Sequence, residues 1–271
     1  MTFDKAFYKQ KTWGSKAIKQ SKDLPTLKIK HAMKLLHGKK GRVLEIGCGS
    51  GRILATIKQH NPELELVGID LDEEQIALAK QHNEGIDFHA GDGEQLPFAD
   101  ESFDYVVFFD FIEHIEHPEQ ALKEMARVLK NKGKLYGVSP AEAHSIYKLS
   151  TKLFGRHFKE ETAGHIQQYT RRGLTNKVRG AGFDVEQVKY SYHLLGSLMD
   201  YALFTMILHP KIADVWWKKN KYYNAGAEQT AASKVLNACL ALGNMIAYYE
   251  STALQNVPLT ATAIHVMAEK E

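Results

Sequence analysis

The stretch VLEIGCGSGR, Val43 to Arg52, constrains this chain more than any other. Val43, Leu44 and Ile46 have the character of a short buried strand. Glycines at 47, 49 and 51 then break the extended pattern, and Ile53, Leu54 and Ile57 resume it at helical spacing. A strand that turns through glycine into a helix is a ligand cradle. Glycine lets backbone approach a bound group with no Cβ in the way, and free N–H groups at the helix start favour an anion. G-x-G-x-G alone also describes an ordinary turn, so its meaning rests on the strands beyond it.

Three further apolar runs each end in an acid: ELELVGID at Asp70, IDFHAGD at Asp92 and FDYVVFFD at Asp110. An acid about 20 residues beyond a glycine turn is placed to accept bonds from ribose hydroxyls. Asp72 with Gln75 gives a capping box for the next helix, so Asp70 is not needed there. As parallel strands, these runs bring Gly47, Asp70, Asp92 and Asp110 to the carboxyl edge of an open α/β sheet, where ligands bind.

From Gly41 onward strand and helix patterns alternate with short connections, which predicts a parallel sheet covered on both faces. Leu122, Met125, Ala126 and Leu129 predict a helix after Pro118 that Gly133 stops, and Thr170 predicts the cap of another running to Gly182. GKLYGVSP, FDVEQVKY and TATAIHVMAEK supply the fifth, sixth and seventh strands. Ahead of the first strand, Leu24, Leu27, His31 and Leu35 form a helical stripe.

The segments VLEIGCGSG, GIDLDEEQIALA, GDGEQLPFADESFDYVV, EHIEHPEQALKEMARVLKNKGKLYGVSP and QYTRRGLTNKVRGAGFDV follow one another across roughly residues 41 to 190. In these the chain resembles the class I S-adenosylmethionine (SAM) dependent methyltransferases, and most of all the branch with ubiquinone-biosynthesis and other lipid or small-molecule enzymes. The resemblance implies an α/β, Rossmann-like seven-stranded sheet of order 3-2-1-4-5-7-6, its last strand antiparallel, with helices on both faces and SAM as cofactor. It also implies that Glu45, Gly47, Gly49 and Gly51 hold the methionine part, with Cys48 contributing backbone. Asp70 would take the ribose, Leu71 one adenine face, and Asp92 with Gly93 the adenine edge. Asp110 and Phe111 would lie near the sulfonium and the acceptor. A dinucleotide cradle carries G-x-G-x-x-G, and Arg52 stands where its last glycine belongs.

A hydroxyl or protonated amine acceptor calls for a general base, and histidine is the default near neutral pH. EHIEH offers His114 and His117, and GHIQQY offers His165; His114 and His165 are the catalytic candidates. No metal site is expected: HIEH is not H-E-x-x-H, and Glu113, His114, Glu116 and His117 do not share one helix side. The rival readings are a SAM-binding regulatory or assembly protein without methyl transfer, and a nucleic-acid methyltransferase. Against the latter, the fourth strand lacks an N-P-P-Y motif and the chain carries no recognisable RNA-binding module.

Domain organisation reads as a basic lead-in over 1–40, a SAM-binding domain over 41–192 plus 259–271, and a helical insertion over 193–258. The insertion holds two 15-residue apolar runs, LLGSLMDYALFTMIL and VLNACLALGNMIAYY, around WWKKNKYY. Each run falls short of the roughly 20 residues that span a bilayer. A roof over the pocket, a homodimer contact and a peripheral membrane contact all fit such a hairpin. Residues 1–42 carry eleven lysines and Arg42 against Asp4 and Asp23, so an anionic surface would feel that segment. Phe7, Tyr8 and Trp13 could close over the cofactor, and residues 141–169 could form a lid. Cys48 and Cys239 make no disulfide framework, and Met1 to Gln20 lacks an export h-region, so a cytoplasmic enzyme with a lipid-like or small-molecule acceptor is expected, with membrane association as one alternative.

Overall fold

The computed structural model describes residues 17–18, 22–141, 165–207 and 230–271. Phe7, Tyr8, Trp13, WWKKNKYY and most of the expected lid lie outside the described residues. Seven strands, β1 (Gly41–Ile46), β2 (Leu64–Asp70), β3 (Asp87–Ala90), β4 (Phe103–Phe109), β5 (Leu129–Pro140), β6 (Phe183–Ser191) and β7 (Ala263–Lys270), form one sheet of order β3-β2-β1-β4-β5-β7-β6. β1 to β5 pair in parallel, and β7 runs antiparallel to both its neighbours. The described helices are α1 (Leu24–Leu36), α2 (Arg52–His60), α3 (Glu73–His82), α4 (Pro118–Val128), α5 (Arg171–Gly180), α6 (Leu194–Ile207) and α7 (Ala231–Ala253).

Alternation along the central strands sends neighbouring side chains to opposite faces. Val43, Val107 and Phe109 join Ile29 and Leu36 of α1, Leu54 and Ile57 of α2 and Ile76 of α3. Leu44, Ile46, Val106 and Phe108 join Leu122 and Met125 of α4 and Leu174 and Val178 of α5. Each such buried side chain stabilises the fold by about 1.5–3 kcal/mol relative to exposure. Arg127 ties α4 to the loop after β3, donating to Glu124, to Asp100 and to the carbonyls of Leu96 and Phe98.

Three helix expectations need correction. α4 ends at Val128 rather than at Gly133: Leu129 turns extended and opens β5, and the left-handed residue is Lys132, at φ 62°, within an irregular stretch early in β5. Leu129 is fully buried in β5, and an apolar period cannot tell a last helical turn from a first strand residue. α5 stops at Gly180, with the chain reversing through Gly182 at φ 92°. α1 buries Leu24, Leu27, Ile29, Ala32 and Leu36, a wider face than the expected stripe, because it contacts both the sheet and the α6–α7 pair.

A polar network pins α1 to the sheet. The Tyr136 hydroxyl donates to the Lys28 carbonyl at 2.9 Å and lies 2.7 Å from His265 Nδ1, while Ser191 Oγ lies 2.7 Å from Nε2. Tyrosine has one hydroxyl hydrogen, so His265 donates from Nδ1 and accepts from Ser191 at Nε2. Burial, with the neighbouring His31, pushes His265 down to about 3; burial, with nearby lysines, pushes His31 down to about 4. Both rings are therefore neutral, packed edge to face at 5.3 Å.

α6 leaves the carboxyl end of β6 and packs on α7. At Gly243 a Cβ would sit 3.2 Å from Met199, so the two helices approach closely there. The Leu195 amide donates to the Glu250 carboxylate at 3.0 Å, and Ala247 packs against Leu24 and Leu27. Among the described residues no helix is long and apolar enough to cross a membrane.

Candidate active site

The carboxyl edge of the parallel strands gathers the acids and the glycine turn. Gly47, Gly49 and Gly51 all have positive φ. An added Cβ would meet the Phe111 ring at 2.9 Å from Gly47, whereas at Gly49 it would meet nothing within 4 Å. Gly49 thus borders open space in a left-handed conformation, which is where a ligand can lie against backbone.

The amides of this turn are largely spent. Gly47 and Cys48 donate to the Ile69 carbonyl, Gly51 donates to the Cys48 carbonyl, and Gly49 donates to Asp70 Oδ2 at 2.7 Å. The expected free N–H cluster for an anion is therefore absent at these four positions. Two carboxyls stand in its place. Asp70 also accepts from the Asp72 amide at 2.9 Å, and Asp72 independently caps α3 through Glu74 and Gln75. Glu45 is buried at the end of β1, and its Oε2 has no hydrogen-bond partner among the described residues. Burial, with Asp70 adding like charge, holds its carboxyl well above the usual carboxylate range. Burial also pushes the Cys48 thiol up, reinforced by Glu45 and Asp70, so the thiol is inert at neutral pH.

Beyond Asp70, Leu71 puts an apolar side chain 75% into solvent. Asp92 lies two residues past β3 and accepts from the Glu94 amide at 2.8 Å, while Gly93 lies against Phe111 and Ile46. Asp110 follows β4 with φ 49°, a strained conformation for a non-glycine residue. Its carboxylate pairs with the Lys28 ammonium, which lies 5.4 Å from the centre of the Tyr192 ring. The pairing of Asp110 with Lys28 could not be read from the sequence, because Lys28 is one lysine among many in the basic lead-in.

The histidine candidates meet. Residues 166 and 167 donate their amides to the Glu113 carbonyl at 2.9 and 3.0 Å, and Tyr169 donates to the Ile112 carbonyl. This pairing brings buried His165 edge to face with exposed His114, ring centres 4.8 Å apart. The fully buried Glu113 carboxyl accepts from Ser139 at 3.3 Å, and Glu113, His114 and His165 offer ligand atoms within 4.8 Å of one another. His117 stands apart, exposed at the start of α4.

The arrangement fits SAM and not a pyrophosphate. An unpartnered buried carboxyl oxygen suits an ammonium, an acid beside an exposed leucine suits a ribose and a base, and the four amides of the turn are not left for phosphate.

Residues 44–137 match the methyltransferase domain family. The chain is 27% identical to the ubiquinone/menaquinone biosynthesis C-methyltransferase UbiE of Desulfotalea psychrophila over 58% of its own length and 71% of that enzyme's. It is 33% identical to phthiotriol/phenolphthiotriol dimycocerosates methyltransferase 1 of Mycobacterium ulcerans over 49% and 50% of the two chains. Several other curated relatives are matched over half of their length or less. A SAM-dependent methyltransferase from Archaeoglobus fulgidus shares the fold at a TM-score of 0.56 and 18% identity, over 98% of this chain and all of that one. Its strand order, its glycine turn and these likenesses together support a class I SAM-dependent methyltransferase.

Proposed function

We infer that the protein methylates a small, hydrophobic or lipid-like acceptor by direct displacement at the rim beside Asp110 and Ser139. The observation that carries this reading is the position of α6 and α7. They rise from the carboxyl end of β6, pack on α1 next to the Lys28–Asp110 pair, and bring an apolar helical pair to the edge where the acceptor must enter. The relatives named for ubiquinone/menaquinone biosynthesis and for dimycocerosates support a hydrophobic acceptor.

Bound SAM supplies a methyl group on a positively charged sulfur. The chain supplies orientation and a dry seat, which together account for several kcal/mol of a displacement barrier, on the order of what proximity gives in general. In this reading Glu45 accepts from the methionine ammonium, Asp70 takes the ribose hydroxyls, Leu71 covers one adenine face, and Asp92 with Gly93 borders the adenine edge. His165, held by its contact with His114 beside Glu113, takes the proton of a hydroxyl acceptor, with His114 as the exposed partner that exchanges it with water.

Incubation with methyl-labelled SAM and a lipid extract, followed by mass detection of labelled lipid and S-adenosylhomocysteine, tests the reading. Labelled lipid is the expected product. SAM binding without any labelled product in lipid or small-molecule fractions overturns it in favour of a binding protein.

A further inference from the structure

α7 has two apolar faces, and the fold uses one. Ala247 and Ser251 are buried, Gly243, Asn244 and Tyr248 are half-buried, and together they meet α6 and α1. The other face carries Val235, Leu242, Met245, Ile246 and Tyr249 at helical spacing, with Val235 65% and Leu242 55% exposed. From the first to the last of these the stripe runs about 21 Å along the helix, at about 1.5 Å per residue.

The border of this stripe is cationic. Lys22 lies 5.4 Å from the centre of the Tyr249 ring, and Lys30 lies 5.2 Å from that of Tyr248. Lys234 is exposed one residue before the stripe begins. Two acids lie nearby against these three lysines: Glu250 accepts from the Leu195 amide, and Asp23 caps α1 through the Thr26 amide. An apolar stripe with aromatic rings and lysines at one end and a lysine at the other matches a helix that lies in the plane of a lipid interface, apolar side inward and ammonium groups at anionic headgroups. A second copy of the chain would bring the same lysines against each other across a two-fold axis, which charge disfavours.

We propose that this outer face of α7, with Lys22 and Lys30 of the segment before and within α1, docks the protein on an anionic bilayer surface. The helix lies flat and does not cross. The proposal rests on the hydrophobic-acceptor reading only for its purpose, since the face and its charge border exist whatever the acceptor is.

Sedimentation of the full chain with phosphatidylcholine vesicles, with and without about a third phosphatidylglycerol, tests it. Binding to the anionic vesicles is expected to exceed binding to neutral ones by about tenfold or more and to weaken in roughly 0.5 M salt. Leu242→Glu with Ile246→Glu, and separately Lys22→Glu with Lys30→Glu, should each lower binding about tenfold while SAM still binds in calorimetry. Wild-type protein that ignores anionic vesicles at low salt, or variants that bind as well as wild type, would overturn the proposal. So would light scattering that finds a dimer which the leucine and isoleucine replacements dissociate. SAM binding without vesicle binding removes the docking face alone, and vesicle binding without SAM binding removes the methyl-transfer reading alone.

Discussion

The Gly49 amide donates to Asp70 Oδ2 at 2.7 Å, a bond that spans 21 residues and joins the turn after β1 to the acid that ends β2. It makes the acid proposed to hold the ribose part of the glycine cradle. Asp70→Asn keeps the shape but weakens a charge-assisted bond and the proposed contact with the ribose. The expected result is SAM affinity lowered about 10- to 100-fold, on the scale of one or two hydrogen bonds to a charged group, with the thermal transition little changed. Calorimetric titration of SAM into the variant measures it.

Gly49→Ala separates seat from scaffold. Its Cβ meets no atom within 4 Å, yet φ is 49°, so the fold should lose only about 1–2 kcal/mol to left-handed strain. The new methyl projects into the open space where SAM is proposed to lie. SAM affinity should therefore fall by more than the stability does, as urea unfolding and calorimetry on the same sample would register.

Much of the fold and the site is legible in the sequence, for local reasons. Glycines after a short apolar run, acids closing each later run and caps at Asp72 and Thr170 are signals carried by neighbours in the chain, and the strand order follows from the family resemblance. The hidden features depend on distant partners. Lys28 reaches Asp110 across 82 residues, and Glu113 meets His165 only because residues 165–169 pair with the segment after β4. The boundary at Leu129 is illegible because burial in a sheet and burial on a helix leave the same apolar residue. The glycine turn reads as an anion nest because nothing local reveals that its amides bond to Ile69 and Asp70.

Met125 is fully buried between α4 and the sheet. Met125→Ala leaves a cavity beside Leu122 and Phe108, and the expected cost is about 2–5 kcal/mol. A lower urea midpoint with an unchanged slope would establish this. A loss under about 1 kcal/mol would mean that the packing there is loose.

His265 and His31 predict acid sensitivity. Both have folded values below the ordinary 6.5, about 3 and about 4, so the unfolded chain binds protons that the folded chain refuses. Their contribution to stability is complete above pH 6.5 and is lost as pH falls toward 4 for His31 and toward 3 for His265, with a limiting slope of about 1.4 kcal/mol per pH unit for each ring. Unfolding free energies of wild type and His265→Gln between pH 7 and 5 test it. The variant should start less stable, because Tyr136 and Ser191 lose a shared partner, and should show the shallower fall.

His165→Ala should leave the heat of SAM binding unchanged and lower turnover of a hydroxyl acceptor by about 10²- to 10⁴-fold, the usual scale of general-base loss. His114→Ala should lower it less. Equal turnover in the His165 variant would remove the ring from the reaction.

The central claim is a seat for an adenosyl sulfonium at the carboxyl edge of β1, β2 and β4. Its most direct test is isothermal titration of SAM and of S-adenosylhomocysteine into the purified full chain. One equivalent of each should bind, with a dissociation constant on the order of 1–100 μM, the range common for enzyme ligands. No heat with either compound, from protein shown to be folded by its thermal transition, would contradict the claim.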